Sequence, residues 1–387
     1  MRTTTLLRLG ELREELLTWL TDVACPLWQR QGIDADGGGF EEALGANGQR
    51  LGAPRRARVQ PRQVHAFIQA AALGWRGDAR HIARRGMDSF CTRYRRADGL
   101  YRTLASHSGA PLDDQALLYD QAFALLGFAA AATALSGARE YESRALALRD
   151  VIAAKLSAPG GGFLSSAAAI EARESNPHMH LLEACLAWAQ AGTDPSWHQW
   201  SEKLVALALN HMVRSDSGAI GEVYTANWLP APGAPGERLE PGHLFEWAWL
   251  LLRSEGPREP NRRDAALRLI AIGETYGVQD GFAVNALNDD LTVLDGRARL
   301  WPQTERLKAD CLAAALTGAE SYWQSALQAT ECLMRFLRTP LPGLWIDERL
   351  VNGEFPNSPA PASSFYHVVG AIAALDSALT QYASGQE

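Results

Sequence analysis

Asn176-Pro177-His178-Met179-His180-Leu181-Leu182-Glu183-Ala184-Cys185-Leu186-Ala187-Trp188-Ala189 is the stretch whose reading decides the fold. Proline suits the first position of a helix, where its missing N–H would be unpaired anyway, and asparagine before it can cap the exposed donors. From Leu181 onward the stretch is apolar nearly all round, the mark of a helix buried on every side. Upstream lies a glycine turn followed by an aromatic residue, Gly162-Phe163, and before that a charged, amphipathic stretch, Arg139–Leu156, with one face for water. The unit is therefore an exposed helix, a glycine turn with a short irregular or β-like segment, and a buried helix.

That unit recurs along the chain. Glycine turns stand at Gly39-Phe40, Gly99-Leu100, Gly162-Phe163, Gly218-Ala219, Gly281-Phe282 and Gly343-Leu344, at intervals of 60, 63, 56, 63 and 62 residues. Between them, cues for a helix start fall at Pro61, Asp113, Pro177, Pro241, Pro302 and Ser364, spaced 52, 64, 64, 61 and 62 residues. Amphipathic stretches precede the turns at Leu9–Gln31, Asp78–Tyr94, Arg139–Leu156, Ser196–Val213, Asn261–Tyr276 and Glu320–Leu337. Apolar ones come after the starts, as in Ala122–Ala132, Leu244–Leu252 and Val368–Leu379. Six units use up the 387 residues, so the expectation is one all-α domain over 1–387, an (α/α)6 barrel of six helical hairpins. An open solenoid is the alternative. If the barrel closes, the six buried helices run parallel and their N-termini share one rim, where function is to be sought.

Bulk properties narrow the partners. With 47% apolar residues, 21% charged residues and a net charge of −7, the chain reads as soluble and globular, without the basic face that nucleic acid or an anionic membrane would favour. Arg8, Glu11, Arg13, Glu14 and Glu15 interrupt the N-terminus too early for a signal-peptide core, and no apolar run reaches the roughly 20 residues of a membrane helix. Five dispersed cysteines, Cys25, Cys91, Cys185, Cys311 and Cys332, read as free thiols in a reducing compartment, so a cytoplasmic location is expected.

The unusual residues fall on the predicted rim. In Glu240-Pro241-Gly242-His243-Leu244-Phe245-Glu246, His243 occupies a first turn and Glu246 lies at i+3 on the same face. The positive end of a helix disfavours imidazolium, so His243 is expected to be neutral and able to act as a base, with Glu246 orienting the ring. Ser363-Ser364-Phe365-Tyr366-His367 repeats the arrangement, with Ser364 as cap three positions before His367. His180 and Glu183 form a third i,i+3 pair; His178, two residues from His180, diverges from it by about 200°, so no metal pair is expected. Arg62 starts the first buried helix, where the dipole opposes a cation, which suggests binding to a sugar oxygen or a structural ion pair. Tyr119-Asp120 and Trp301-Pro302-Gln303-Thr304-Glu305-Arg306-Leu307-Lys308 add hydrogen-bonding groups, and Trp301 a flat face for stacking on a sugar. Phosphate-binding glycine loops, dinucleotide fingerprints and nucleophile elbows are absent from the sequence.

These motifs, one per unit and in order, resemble the N-acylglucosamine 2-epimerase superfamily, which includes N-acylglucosamine and cellobiose 2-epimerases and mannose and sulfoquinovose isomerases. The resemblance runs from Gly37-Gly38-Gly39-Phe40 through Val59-Gln60-Pro61-Arg62, Leu118–Phe123 and Asn176–Glu183 to Pro241–Glu246, Trp301–Glu305 and Tyr366-His367. It implies an (α/α)6 barrel without metal or other cofactor and a catalytic histidine pair at His243 and His367. It also implies substrate-binding or supporting roles at Arg62, His180, Glu246 and Trp301. The wording of the third and fifth motifs is nearest the mannose isomerases. His65 replaces a tryptophan common in the epimerases, and Asn227 an aspartate often found before Trp228. The expected reaction interconverts D-mannose and D-fructose through a cis-enediolate, as a monomer or homodimer acting on a monosaccharide.

A sugar 2-epimerase of mannose/glucose, N-acylglucosamine or cellobiose type uses the same pair of bases and stands as the alternative. A glycoside hydrolase on the same barrel would need two opposed rim carboxylates drawn from Asp120, Glu183, Glu246 and Glu305. A non-catalytic sugar-binding barrel would bind without turnover.

Overall fold

Amphipathic and all-apolar stretches fold into outer and inner helices respectively, as their patterning requires. In the computed structural model, which describes residues 2–168, 171–254 and 261–384, the helices in chain order are α1 (Arg2–Thr18), α2 (Cys25–Gln31), α3 (Val59–Ala72), α4 (Ala79–Tyr94) and α5 (Leu118–Ala134). They continue as α6 (Ala138–Leu156), α7 (Ser175–Ala191), α8 (Ser196–Leu207), the short α9 (Ala234–Glu237) and α10 (Pro241–Arg253). The series ends with α11 (Asn261–Tyr276), α12 (Leu300–Thr317), α13 (Glu320–Leu337) and α14 (Ser363–Ser384). A π-helical turn, Trp19–Ala24, joins α1 to α2, and a second, Ala208–Met212, extends α8.

The inner ring is α3, α5, α7, α10, α12 and α14. Each packs on the next, and α14 packs back on α3. That last contact closes the barrel and excludes the open solenoid. The outer helices lie against the ring: α4 on α3 and α5, α6 on α5, α8 on α7, α11 on α10 and α12, and α13 on α12. Helix α1 completes the outer layer against α13 and α14.

Burial of side chains such as Phe67, Leu125, Trp188, Leu251 and Ile372 holds the two layers together, at about 1.5–3 kcal/mol for each large apolar group fully withdrawn from water. Small residues set how closely the inner helices approach. A Cβ added at Gly127 in α5 would lie 2.4 Å from Cβ of Pro61 in α3.

At the rim, one backbone hydrogen bond repeats six times. The N–H at or just before an inner helix donates to a carbonyl in the next unit: Ala57 to Thr103 (2.8 Å), Leu118 to Ser165 (2.8 Å), Ser175 to Glu222 (3.0 Å), Leu239 to Leu287 (3.0 Å) and Leu300 to Asp347 (2.9 Å). The sixth, Ala362 to Glu42 (2.9 Å), joins the last unit to the first. Short antiparallel pairings accompany these bonds, such as Ala172–Glu174 with Val223–Thr225 and, closing the circle, Ala43–Leu44 with Ala360–Pro361.

These inter-unit bonds explain why three expected caps are not caps. Asp113 lies in a short strand and accepts from the Gln115 N–H; α5 starts five residues later, its first donor held by Ser165. Asn176 is inside α7, which begins at Ser175. Ser364 donates its hydroxyl to Asp347 instead of accepting from the backbone. One N–H at or just before each inner helix is thus held by a neighbouring unit, which fixes where the helix begins without a local side-chain cap.

A second device fixes four of the glycine turns to their inner helices. Gln60 bonds both the N–H and C=O of Phe40, Gln121 those of Tyr101, and Gln303 those of Ala283. In the third unit His178 takes this place, with Nε2 accepting from Phe163 N–H at 2.9 Å and Nδ1 on the Glu174 carbonyl. His178 therefore holds a turn, and points away from His180 as the helical spacing requires.

Candidate functional site

Because the six inner helices run the same way, their first turns meet around one cavity of about 280 Å³. Arg62 reaches it from α3, Tyr119 from α5, His180 from α7, His243 and Glu246 from α10, Trp301 from α12 and His367 from α14. Both rings of the expected pair lie against Trp301, with centroids 5.0 Å (His243) and 5.8 Å (His367) from it. The requirement that the two imidazoles meet at one end of the barrel is satisfied.

Each cavity histidine is held through Nδ1 by a carboxylate, which leaves Nε2 for whatever enters. His243 Nδ1 sits 2.8 Å from Glu222 Oε2, His367 Nδ1 2.8 Å from Glu305 Oε1, and His180 Nδ1 3.2 Å from Glu183 Oε2. The environments differ in charge. Burial disfavours the cation at His243, but the charges of Glu222 and Glu240, the Glu222 hydrogen bond and the more distant Glu246 outweigh it and raise its pKa to about 10. Burial also raises Glu222, against the pull of His243. At His367 burial wins: Glu305 opposes it, Arg62 and Lys308 add to it, and the pKa falls below 6.5. His180 falls further, to about 4, again chiefly through burial.

Two sequence expectations are thereby corrected. His243 is the protonated ring, because two carboxylates outweigh the helix dipole. Its orienting partner is Glu222, from the preceding rim loop, and not Glu246. Glu246 instead approaches His180 (3.7 Å), and one of its buried oxygens has no hydrogen-bond partner. Burial, then repulsion from Glu305, raises its pKa well above the usual carboxylate range.

The remaining expected residues divide between cavity and support. The Arg62 guanidinium donates to Tyr119 Oη at 2.6 Å and lies 3.9 Å from the Phe123 ring centroid, with no carboxylate partner among the described residues. Asp120 is withdrawn from the cavity, accepting from Arg58 Nε at 2.9 Å and from the Thr103 hydroxyl at 2.7 Å. Glu183 is spent on His180 and on the Tyr366 hydroxyl. Glu305 joins His367 to Lys308, whose Nζ is 2.6 Å from its second oxygen. Of the four carboxylates that a hydrolase would draw on, Glu246 alone lines the cavity.

Sequence reasoning missed Glu222 and Arg58. An acidic residue three or four positions after the glycine turn recurs at Glu42, Glu222 and Asp347, and that recurrence is the signal that could have found Glu222. Three histidine–carboxylate groups, His180/Glu183/Glu246, Glu222/Glu240/His243 and Glu246/Glu305/His367, offer donor atoms within 4.8 Å of one another. Their Nδ1 atoms are already committed to carboxylates, which is the arrangement of orienting partners for proton transfer.

A closed (α/α)6 barrel thus gathers histidines, carboxylates and an arginine at one rim. Residues 38–371 match the N-acylglucosamine 2-epimerase (GlcNAc 2-epimerase) family, and the chain belongs to it. It is 43% identical over 374 residues to a protein of Rhizobium meliloti (strain 1021) named mannose-6-phosphate isomerase, covering 94% of this chain and 97% of that one. Among solved structures, a D-mannose isomerase superposes with a TM-score of 0.85 at 22% identity, covering 94% of this chain and 97% of the other. The cellobiose 2-epimerase of Spirochaeta thermophila DSM 6192 gives a TM-score of 0.83 at 22% identity, covering 98% of each chain. These two likenesses establish the fold. The protein is an enzyme, a sugar isomerase or epimerase. Among the described residues, no helix is long and apolar enough to cross a membrane.

Proposed function

We propose that the enzyme interconverts D-mannose and D-fructose, with His367 as base and His243 as acid. The observation that carries this reading is two imidazoles on one cavity, each oriented through Nδ1 by its own carboxylate 2.8 Å away, with pKa values driven apart: that of His243 raised to about 10 and that of His367 lowered. Neighbouring groups with pKa values driven apart divide acid from base near neutral pH.

His243 donates through Nε2 to the ring oxygen and takes back the proton that the O1 hydroxyl releases as the pyranose opens. His367 Nε2, its Nδ1–H directed at Glu305, removes the C2 proton of the open-chain aldose. Negative charge then develops on the O1–O2 edge of a cis-enediolate, where Arg62, which lines the cavity without a carboxylate partner among the described residues, can stabilise it. Transfer of the hydroxyl proton from O2 to O1 and return of the carbon-bound proton from His367 to C1 give the ketose. Return to the opposite face of C2 would give an epimer, and would need a second base; His243, held protonated by Glu222, is ill suited to that part. The cavity volume of about 280 Å³ lies at the small end of ligand pockets, about 300–1,000 Å³, and suits a monosaccharide better than a disaccharide.

The name of the Rhizobium relative raises mannose 6-phosphate as a second reading. Arg56, Arg58 and Arg299 also line the cavity, which favours it, but they are paired with Glu42, Asp120 and Asp347, which leaves little net charge for a phosphate. The test is product chromatography on a panel of mannose, mannose 6-phosphate, glucose, N-acetylglucosamine and cellobiose. Fructose from mannose supports the proposal. Glucose without fructose, or turnover of the phosphate ester alone, would replace it.

A further inference from the structure

The barrel encloses a second cavity, of about 570 Å³, lined by the later turns of the same six inner helices and so facing the opposite mouth. Its wall is mainly small and apolar, with Ile68, Leu126, Leu312 and a succession of alanines. Into it reaches Arg253, in the last turn of α10, its guanidinium carbon 4.5 Å from the Trp249 ring centroid. Among the described residues no carboxylate comes within 4.0 Å of this guanidinium, and no hydrogen bond fills its donors.

The other charges at the floor are already spent. Glu183 is occupied by His180 and Tyr366, and Lys308 by Glu305. Gln69, on the same wall, has a buried side-chain oxygen without a partner. The C-terminal end of a helix favours a cation at this position, but does not satisfy five N–H donors. Burial works against the charge and lowers the Arg253 pKa. A half-buried guanidinium without a protein partner among the described residues, reaching into a largely apolar chamber, is a ready partner for an anionic group.

We propose that this second cavity binds a small monocarboxylate with an apolar body, the carboxylate on Arg253 and the body against the alanine-lined wall. One unpaired cation matches one negative charge, and the planar guanidinium presents two parallel N–H groups to a carboxylate. A phosphoryl dianion would need a second free cation, and Lys308 is committed. The volume falls within the range of small-molecule sites, about 300–1,000 Å³. This site is independent of the sugar reaction, and its test does not use turnover.

The experiment is titration calorimetry of the full-length protein with benzoate, acetate, inorganic phosphate and benzylamine, in the presence of saturating mannose to occupy the rim cavity. Benzoate is expected to bind more tightly than acetate or phosphate, and benzylamine not at all. Arg253→Gln should weaken benzoate at least tenfold, and Ala374→Leu, which narrows the cavity and leaves Arg253 in place, should weaken it independently. Circular dichroism melts establish that both variants are folded. Benzoate affinity equal in wild type and R253Q, phosphate binding tighter than benzoate, or no binding by any of the anions overturns the proposal.

Discussion

Replacing Glu222 by glutamine isolates the feature that sets His243 apart. The amide keeps an acceptor 2.8 Å from His243 Nδ1 but removes the largest charge holding the proton on the ring. Burial, which acts the other way, remains. The folded pKa of His243 should therefore drop from about 10 to 6.5 or lower, a loss of roughly 5 kcal/mol in preference for the charged form. At pH 8 a ring with a pKa of 6.5 is only about 3% protonated, so the acid step should slow by about thirtyfold or more there, with little change near pH 6. The assay is the pH dependence of kcat/KM for wild type and E222Q, with the imidazole titration followed by NMR. In wild type the alkaline limb should lie near pH 10; in E222Q it should move to the neutral range. An E222Q profile whose alkaline limb stays near that of wild type would refute the assignment of His243 as the acid controlled by Glu222.

The same charges and packing carry other consequences. In wild type the acid limb of kcat/KM should lie below pH 6.5, because the base must be neutral and burial lowers the His367 pKa; an acid limb above 7 would contradict this. Lys308→Met strands the Glu305 carboxylate in the interior, which should cost about 3–5 kcal/mol in urea unfolding, and the double variant K308M/E305Q should recover much of it. Gly127→Ala drives a methyl group into Pro61 and should destabilise the barrel by about 1–3 kcal/mol without changing KM, measured by the same unfolding curves. Incubation with EDTA followed by buffer exchange should leave kcat unchanged, since each cavity histidine already has a carboxylate on Nδ1.

The fold was largely legible because a barrel of repeats writes its period into the chain. Glycine turns need a left-handed residue, as at Gly99, Gly162, Gly218, Gly281 and Gly343, all with positive φ, and inner helices need apolar surface on every side. Helix caps were less legible, since the acceptors come from the next unit's backbone and carry no side-chain signature. The site was legible as far as first turns go: His180, His243, Trp301, His367 and Arg62 all reach one cavity. The groups that decide their chemistry lie elsewhere in sequence. Glu222 is 21 residues from His243, and Glu305 is 62 from His367. The i,i+3 rule correctly paired His180 with Glu183 but misassigned Glu246 to His243. A rim loop can present a carboxylate to Nδ1 more directly than a helical neighbour whose side chain turns inward.

The central claim is proton exchange at C2 by His367 through an enediolate, and solvent isotope incorporation reads it directly. With mannose in heavy water, NMR of the isolated fructose should show deuterium at C1, and His367→Asn should abolish both product and label. Fructose formed with the C2 hydrogen wholly retained at C1, or normal exchange by H367N, would contradict the account.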